Sequence, residues 1–153
     1  MKPTRIRSLR GSFKSSIGDL KRQLILDDGR HNHGLKILSF EMWTDQSNAD
    51  FFISASLSLD TIQAGLPFFD AGDNRQIAWF TTAQMGNNPN AAFSSTPVQV
   101  IDPNHIVNEG LFLRAYGTDN IIWSYLIIAE EYDLTDDEAV ITLIKERSQN
   151  FTP

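Results

Sequence analysis

Apolar residues in this chain come in short runs, separated by polar segments rich in Gly, Asn, Asp and Pro. That spacing is the signature of strands joined by turns. The two densest runs are Leu111-Phe112-Leu113-Arg114-Ala115-Tyr116 and Ile121-Ile122-Trp123-Ser124-Tyr125-Leu126-Ile127-Ile128. Between them stands Gly117-Thr118-Asp119-Asn120, in which Gly tolerates positive φ and Asp and Asn bond back to their own backbone. The pattern predicts a β-hairpin. Both strands are apolar on nearly every position, which predicts a sheet covered on both faces at the centre of a sandwich.

Weaker runs fill in the rest. Arg5-Ile6-Arg7-Ser8-Leu9 suits a short edge strand or equally a mobile arm that orders on a neighbour, and residues 1–22 are expected to pack only partly on their own body. Gln23 to Leu26 suits another strand and Asp27-Asp28-Gly29-Arg30 a turn. In Leu35 to Trp43 the alternation places Lys36, Leu38, Phe40 and Met42 on the core side, with Leu35, Ile37, Ser39, Glu41 and Trp43 opposite. Phe51 to Leu59 turns Ser54, Ser56 and Ser58 outward, and Arg75 to Thr82 and Pro97 to Ile101 are further strands. Asp60 to Asn74, with Pro67 and Gly72, and Met85 to Thr96 read as irregular. Thr135-Asp136-Asp137-Glu138 is a capping box, predicting a helix over about 136–149 that lays Val140, Leu143, Ile144 and Arg147 on the sandwich. The fold class is therefore all-β: an antiparallel β-sandwich of about eight strands, jelly-roll-like, with a C-terminal α-helix. Seven strands would suit an immunoglobulin-like sandwich, against which the missing Cys pair argues.

Composition narrows the classes. A chain of 153 residues suits one domain, here 23–153 behind an N-terminal segment 1–22. The absence of Cys excludes disulfides and thiolate chemistry. No apolar run follows Met1-Lys2-Pro3-Thr4-Arg5 as a secretory signal needs, and none reaches the ~18 residues of a membrane span. Charge is uneven. Residues 1–22 carry Lys2, Arg5, Arg7, Arg10, Lys14, Lys21 and Arg22 against Asp19, a balance of 7 − 1 = +6. The net charge of −6 leaves −12 on the rest, a basic arm on an acidic body.

Candidate chemistry is sparse. In His31-Asn32-His33, beside Asp27 and Asp28, the two His would share a face on an extended strand as a metal site uses, but Gly29 and Gly34 favour a loop and no third ligand is specified. Asp45 to Asp50 lacks the sixth-position Gly and closing Glu of a calcium loop, and Asp70 to Arg75 reads as a turn before a cation site. Glu130, Glu131, Asp133, Asp136 and Asp137 cluster without a sign of one acid and one base. No nucleophile elbow or phosphate loop exists, so the expectation is no enzyme, no metal and no cofactor. Trp43, Trp79, Trp123, Tyr116, Tyr125 and Phe51-Phe52 fall on predicted strands, as core aromatics or, where exposed, as a sugar-stacking surface. Phe68-Phe69 falls in the irregular stretch, where it is read as a plug for one end of the core.

A basic arm ahead of a small, cysteine-free, eight-strand sandwich with long polar loops resembles the small single jelly-roll capsid proteins of viruses. The resemblance covers the layout of the whole chain and no specific motif. Lys2, Arg5, Arg7, Arg10 and Lys14 stand where that family has its interior arm, though this arm is shorter and the terminal helix is a departure. The resemblance implies a structural virion protein, assembled in the host cytoplasm. Its partners would be copies of itself, possible further virion proteins, and nucleic acid or a neighbouring subunit at the arm, with no membrane. Deleting residues 1–22 is then expected to leave a soluble monomer. The alternative is a carbohydrate- or ligand-binding sandwich using Trp43 or Trp79.

Overall fold

Each apolar run becomes a strand in the computed structural model, which describes residues 2–18, 20–25, 32–45, 50–59, 69–73, 75–84, 98–108 and 110–141. Among them are β1 (Lys2–Lys14), β2 (Leu20–Ile25), β3 (His33–Trp43), β4 (Phe51–Ser58), β5 (Gln76–Gln84), β6 (Val98–Ile101), β7 (Leu111–Gly117) and β8 (Ile122–Asp133). They form two antiparallel sheets, β1-β8-β3 and β2-β7-β4-β5-β6. The core lies between them, with Phe40, Trp123 and Ile127 from the first sheet against Ile53, Leu57, Ile77, Leu111 and Leu113 from the second. This is the predicted all-β sandwich.

The strand order is that of a rolled-up ribbon: β1 pairs with β8, β2 with β7, and β4 with β5. A jelly roll would complete the set with a β3–β6 ladder. Here β6 takes its ladder from β5 instead, and meets β3 side by side, with the Gln99 side-chain amide donating to the Phe40 carbonyl.

The predicted hairpin is the largest correction. β7 and β8 are central strands, but of different sheets, so the link between them is a crossover at one end of the sandwich. Its backbone bonds show why. The Gly117 amide donates to the Ser16 carbonyl (3.1 Å), Thr118 to Phe52 (3.0 Å) and Asn120 to Ser15 (3.0 Å), none of them across to the other arm of a hairpin. Asn120 takes the left-handed conformation (φ 64°), which Asn tolerates. The β1–β2 link crosses alongside: the Ser15 amide donates to Ile121 O (2.7 Å) and the Ile17 amide to Asp119 Oδ1 (2.8 Å). Gly117 is required there, because a Cβ would come within 2.5 Å of the Phe52 carbonyl oxygen.

Three further expectations shift. In β3 a bulge between Ile37 and Ser39 adds a residue and flips the alternation. Leu35 and Ile37 are thus buried before it and Phe40 and Met42 after it, while Leu38 is exposed and Lys36 half-buried. In β4, Ser54, Ser56 and Ser58 do alternate with the core residues, but Ser56 and Ser58 are fully buried. Arg114, on the same face of β7 and paired in register with Ser56, is buried too. The helix is described over 136–141 and its capping box forms, Glu138 N donating to Thr135 Oγ1 (3.2 Å) and Thr135 N to Glu138 Oε1 (3.4 Å). However, Ala139 turns inward and Val140 out, one position off the predicted stripe; Leu143, Ile144 and Arg147 lie outside the described residues.

Candidate functional site

The basic segment is where sequence and structure part most usefully. Residues 2–14 are an edge strand hydrogen-bonded to β8 along its length, so the arm lies on its own body. An edge strand suits this composition because its charged side chains keep the free edge from pairing indiscriminately. Phe13 is buried and Leu9 packs against the core, and the two-residue period then puts Arg7 and Arg5 on the same face. Those two reach past the end of the core to Glu131. Arg5 Nε donates to Glu131 Oε2 and its Nη2 to Oε1 (3.3 Å), and Arg7 Nη1 donates to Oε1 (3.4 Å). Lys2 stands opposite Asp133 in the ladder. From β2, Arg22 Nη1 donates to the Ser12 carbonyl (2.9 Å), clasping the β1 edge, and Lys21 stands beside buried Arg114. Arg10 and Lys14 are exposed on the opposite face of β1 from Phe13.

The hydrogen bond from Arg5 holds the Glu131 carboxyl below its ordinary value, with burial opposing it. A carboxylate depressed in the folded state stabilises the fold above its unfolded pKa, and that contribution disappears as pH falls through the folded one. The melting temperature of the wild type is therefore expected to drop more steeply than that of Glu131→Gln below about pH 4. The difference should be small and lost in high salt, because the Arg5 side chain is 68% exposed. Thermal melts across that range at two ionic strengths read it directly, and parallel curves would remove this ion cluster from the account of β1.

The other acidic groups of the predicted cluster hold structural partners. Tyr132 Oη donates to Glu130 Oε2 (2.6 Å), Asn32 Nδ2 to Asp136 Oδ1 (3.1 Å), and Asp133 stands 3.7 Å from His33 Nδ1; the exception is Asp137, which is exposed, and Glu138 beside the cluster caps the helix. His31, Asp27 and Asp28 lie outside the described residues, as do Gln46 to Ala49 of the calcium-like loop and Pro67-Phe68; Phe69 is exposed. Among the described residues no group of three or more His, Asp or Glu is placed to hold a metal, and no helix is long and apolar enough to cross a membrane. Ala71 and Gly72 form a turn after Asp70, and beyond it Arg75 Nε and Nη2 grip Asp73 Oδ1 and Oδ2, each at 2.9 Å.

What remains is the outer face of the three-stranded sheet. Register puts Arg10, Leu126 and Glu41 in one row, and Ser12, Ser124 and Trp43 in the next row on that face. Beyond them lie Ile128, Ile122 and Ile6. Ile6 is 60% exposed, Ile122 51%, Trp43 50% and Leu38 45%, so several large apolar side chains stand open to water among the charged and serine side chains of this face. Arg10, Ser12, Trp43, Ser124 and Leu126 line a shallow groove of about 460 Å³. Among the described residues, the side chains of Arg10, Glu41 and Trp43 spend no hydrogen bond on the fold. Trp79, by contrast, is half-buried and gives its indole N–H to Gln76 Oε1 (2.9 Å), and Trp123 is buried at right angles to Phe51. Sequence reasoning put Trp43 and Glu41 away from the core. It missed the face they belong to, because β8 is apolar on both sides and gives no signal of which side is open.

No protein-family model matches this chain, and no curated protein matches it. Among solved structures it is similar to a chain in the structure of infectious bursal disease virus, Gx strain, at 14% identity and a TM-score of 0.36. The similarity covers 90% of this chain and spans about a third, 34%, of that one. A likeness this slight assigns neither family nor role.

Proposed function

We propose that this protein is a structural subunit that associates with copies of itself, in keeping with the capsid or capsid-associated layer implied by its layout. The observation that carries the reading is the set of large apolar side chains left open to water on the outer face of β1-β8-β3. An antiparallel sheet that faces water on one side normally carries polar residues there. Here Ile6, Leu38, Trp43, Ile122, Leu126 and Ile128 share that side, a patch of the kind that marks protein contact sites. The basic residues support a protein neighbour over a genome. Arg5 and Arg7 are engaged with Glu131 and Arg22 with the β1 edge, so three of the seven charges are held by the protein itself and drawn away from phosphates.

Light scattering on a sizing column at low and high salt, with absorbance followed at 260 and 280 nm, tests this. The expected result is a species larger than the 17.2 kDa chain whose spectrum is that of protein alone. A monomer at both salts overturns self-association, and a particle rich in 260 nm absorbance returns the arm to a nucleic acid.

A further inference from the structure

Resting on that reading, we infer that two copies pair through the outer face of β1-β8-β3, about a two-fold axis running along β8. The face is a small grid with a charge pattern. β1 supplies Arg10 and Lys14 on one flank; β3 supplies Glu41, with Asp45 two residues past Trp43, on the other; and β8 supplies Ile122, Leu126 and Ile128 between them. Sheets that pack face to face lie about 10 Å apart with strands within about 30° of each other. A two-fold pair uses the same patch on both copies, so only a few placements of the axis need weighing.

An axis along β8 keeps each row at its own level and exchanges the flanks. Arg10 of one copy then meets Glu41 of the other, twice by symmetry, with Leu126 against Leu126 at the centre. Ser12 meets Trp43 in the next row, and Lys14 lies towards Asp45 beyond it. The row of Ile6, Glu130 and Lys36, which places opposite charges side by side within one copy, is left at the end where the sheets splay apart. An axis across the strands instead stacks Arg10 on Arg10 and Glu41 on Glu41, a like-charge arrangement that interfaces reject. Edge-to-edge pairing of β1 with β1 sets Lys2, Arg5, Arg7, Arg10 and Lys14 against the same five and no acid, and would displace Arg22 from the Ser12 carbonyl. The charge pattern therefore selects the first arrangement.

The test is the dimer dissociation constant, from sedimentation equilibrium, of the full chain and of Arg10→Glu, Glu41→Arg and the double reversal. Both side chains are exposed and make no bond within the fold, so thermal melts should match the wild type. Each single reversal is expected to weaken the dimer at least about tenfold, and the double reversal to restore it, since the exchanged charges meet again. A dimer that ignores all three substitutions overturns this pairing while leaving self-association standing. Weakening without rescue in the double variant overturns the reciprocal contact. A wild type monomeric at every concentration removes both proposals, and a monomer that binds a neutral glycan and loses it in Trp43→Ala gives the face to a sugar.

Discussion

Deleting residues 1–14 is expected to unfold the protein, where the reading of 1–22 as a separate arm led to a soluble monomer. β1 is one of the two strands that flank β8, and its loss leaves the longest stretch of β8 with an unpaired ladder. It also removes Phe13, which is buried against Tyr125 at a ring separation of 6.3 Å, and half-buried Leu9. Truncating a buried Phe to Ala alone costs about 3–5 kcal/mol, a large part of the ~5–15 kcal/mol that holds a domain together. The side chains of β1 are not equal in this. Phe13→Ala is expected to lower stability by about 3 kcal/mol or more, while Ile6→Ala, 60% exposed, should stay within about 0.5 kcal/mol. Circular dichroism melts of the deletion and the two point variants separate these effects. A truncated chain that melts cooperatively within a few degrees of full length would show that β1 is an appendage after all.

The legible part of the fold was the part written in local chemistry. The eight strands among the described residues each overlap an apolar run, though β1 and the start of β2 lie in the segment read as an arm, and the capping box at Thr135 and Glu138 formed because its two bonds need only four consecutive residues. What escaped was set by distant partners. Gly117 to Asn120 has hairpin chemistry, yet Ser15, Ser16 and Phe52 take its amides and carry it across the sandwich. Nothing near Ile37 announces a bulge, since the extra residue is fixed by how β3 meets β8, and one residue was enough to exchange Leu38 for Ile37 in the core. The same holds for the candidate face. Alternation put Trp43 and Glu41 outside, but only the pairing register sets them beside Ser124 and Leu126 and across from Ser12 and Arg10.

Asp73→Ala is expected to be the most damaging single substitution outside the hydrophobic core, costing about 3–5 kcal/mol. Asp73 and Arg75 are both buried and joined by two parallel bonds of 2.9 Å, with the Arg75 amide also donating to Asp73 Oδ1 (3.1 Å). Gln76 extends the network. Its amide N–H donates to Asp73 Oδ2 (3.4 Å), and its carbonyl accepts from the Asp70 amide (2.8 Å) and the Trp79 indole (2.9 Å). Removing the carboxylate takes the two parallel bonds and the opposite charge away from a buried guanidinium, whereas replacing both members by apolar residues of similar volume should cost far less. Asp73→Leu with Arg75→Met is thus expected to be more stable than Asp73→Ala alone, which denaturant titration of the three variants would establish. The ionic state has its own signature. Burial alone would raise the Asp73 carboxyl, but the hydrogen bonds and charge of Arg75 outweigh it and hold the group below its ordinary value. Its contribution is therefore present above the unfolded pKa of about 3.9 and lost as pH falls through the lower folded one. Because both members of this pair are buried whereas the Arg5 partner of Glu131 is open to solvent, it should dominate the acid limb of the stability curve and persist in high salt. If Asp73→Asn leaves the acid limb unchanged, the pair contributes packing alone, and the loss in Asp73→Ala must come from the cavity.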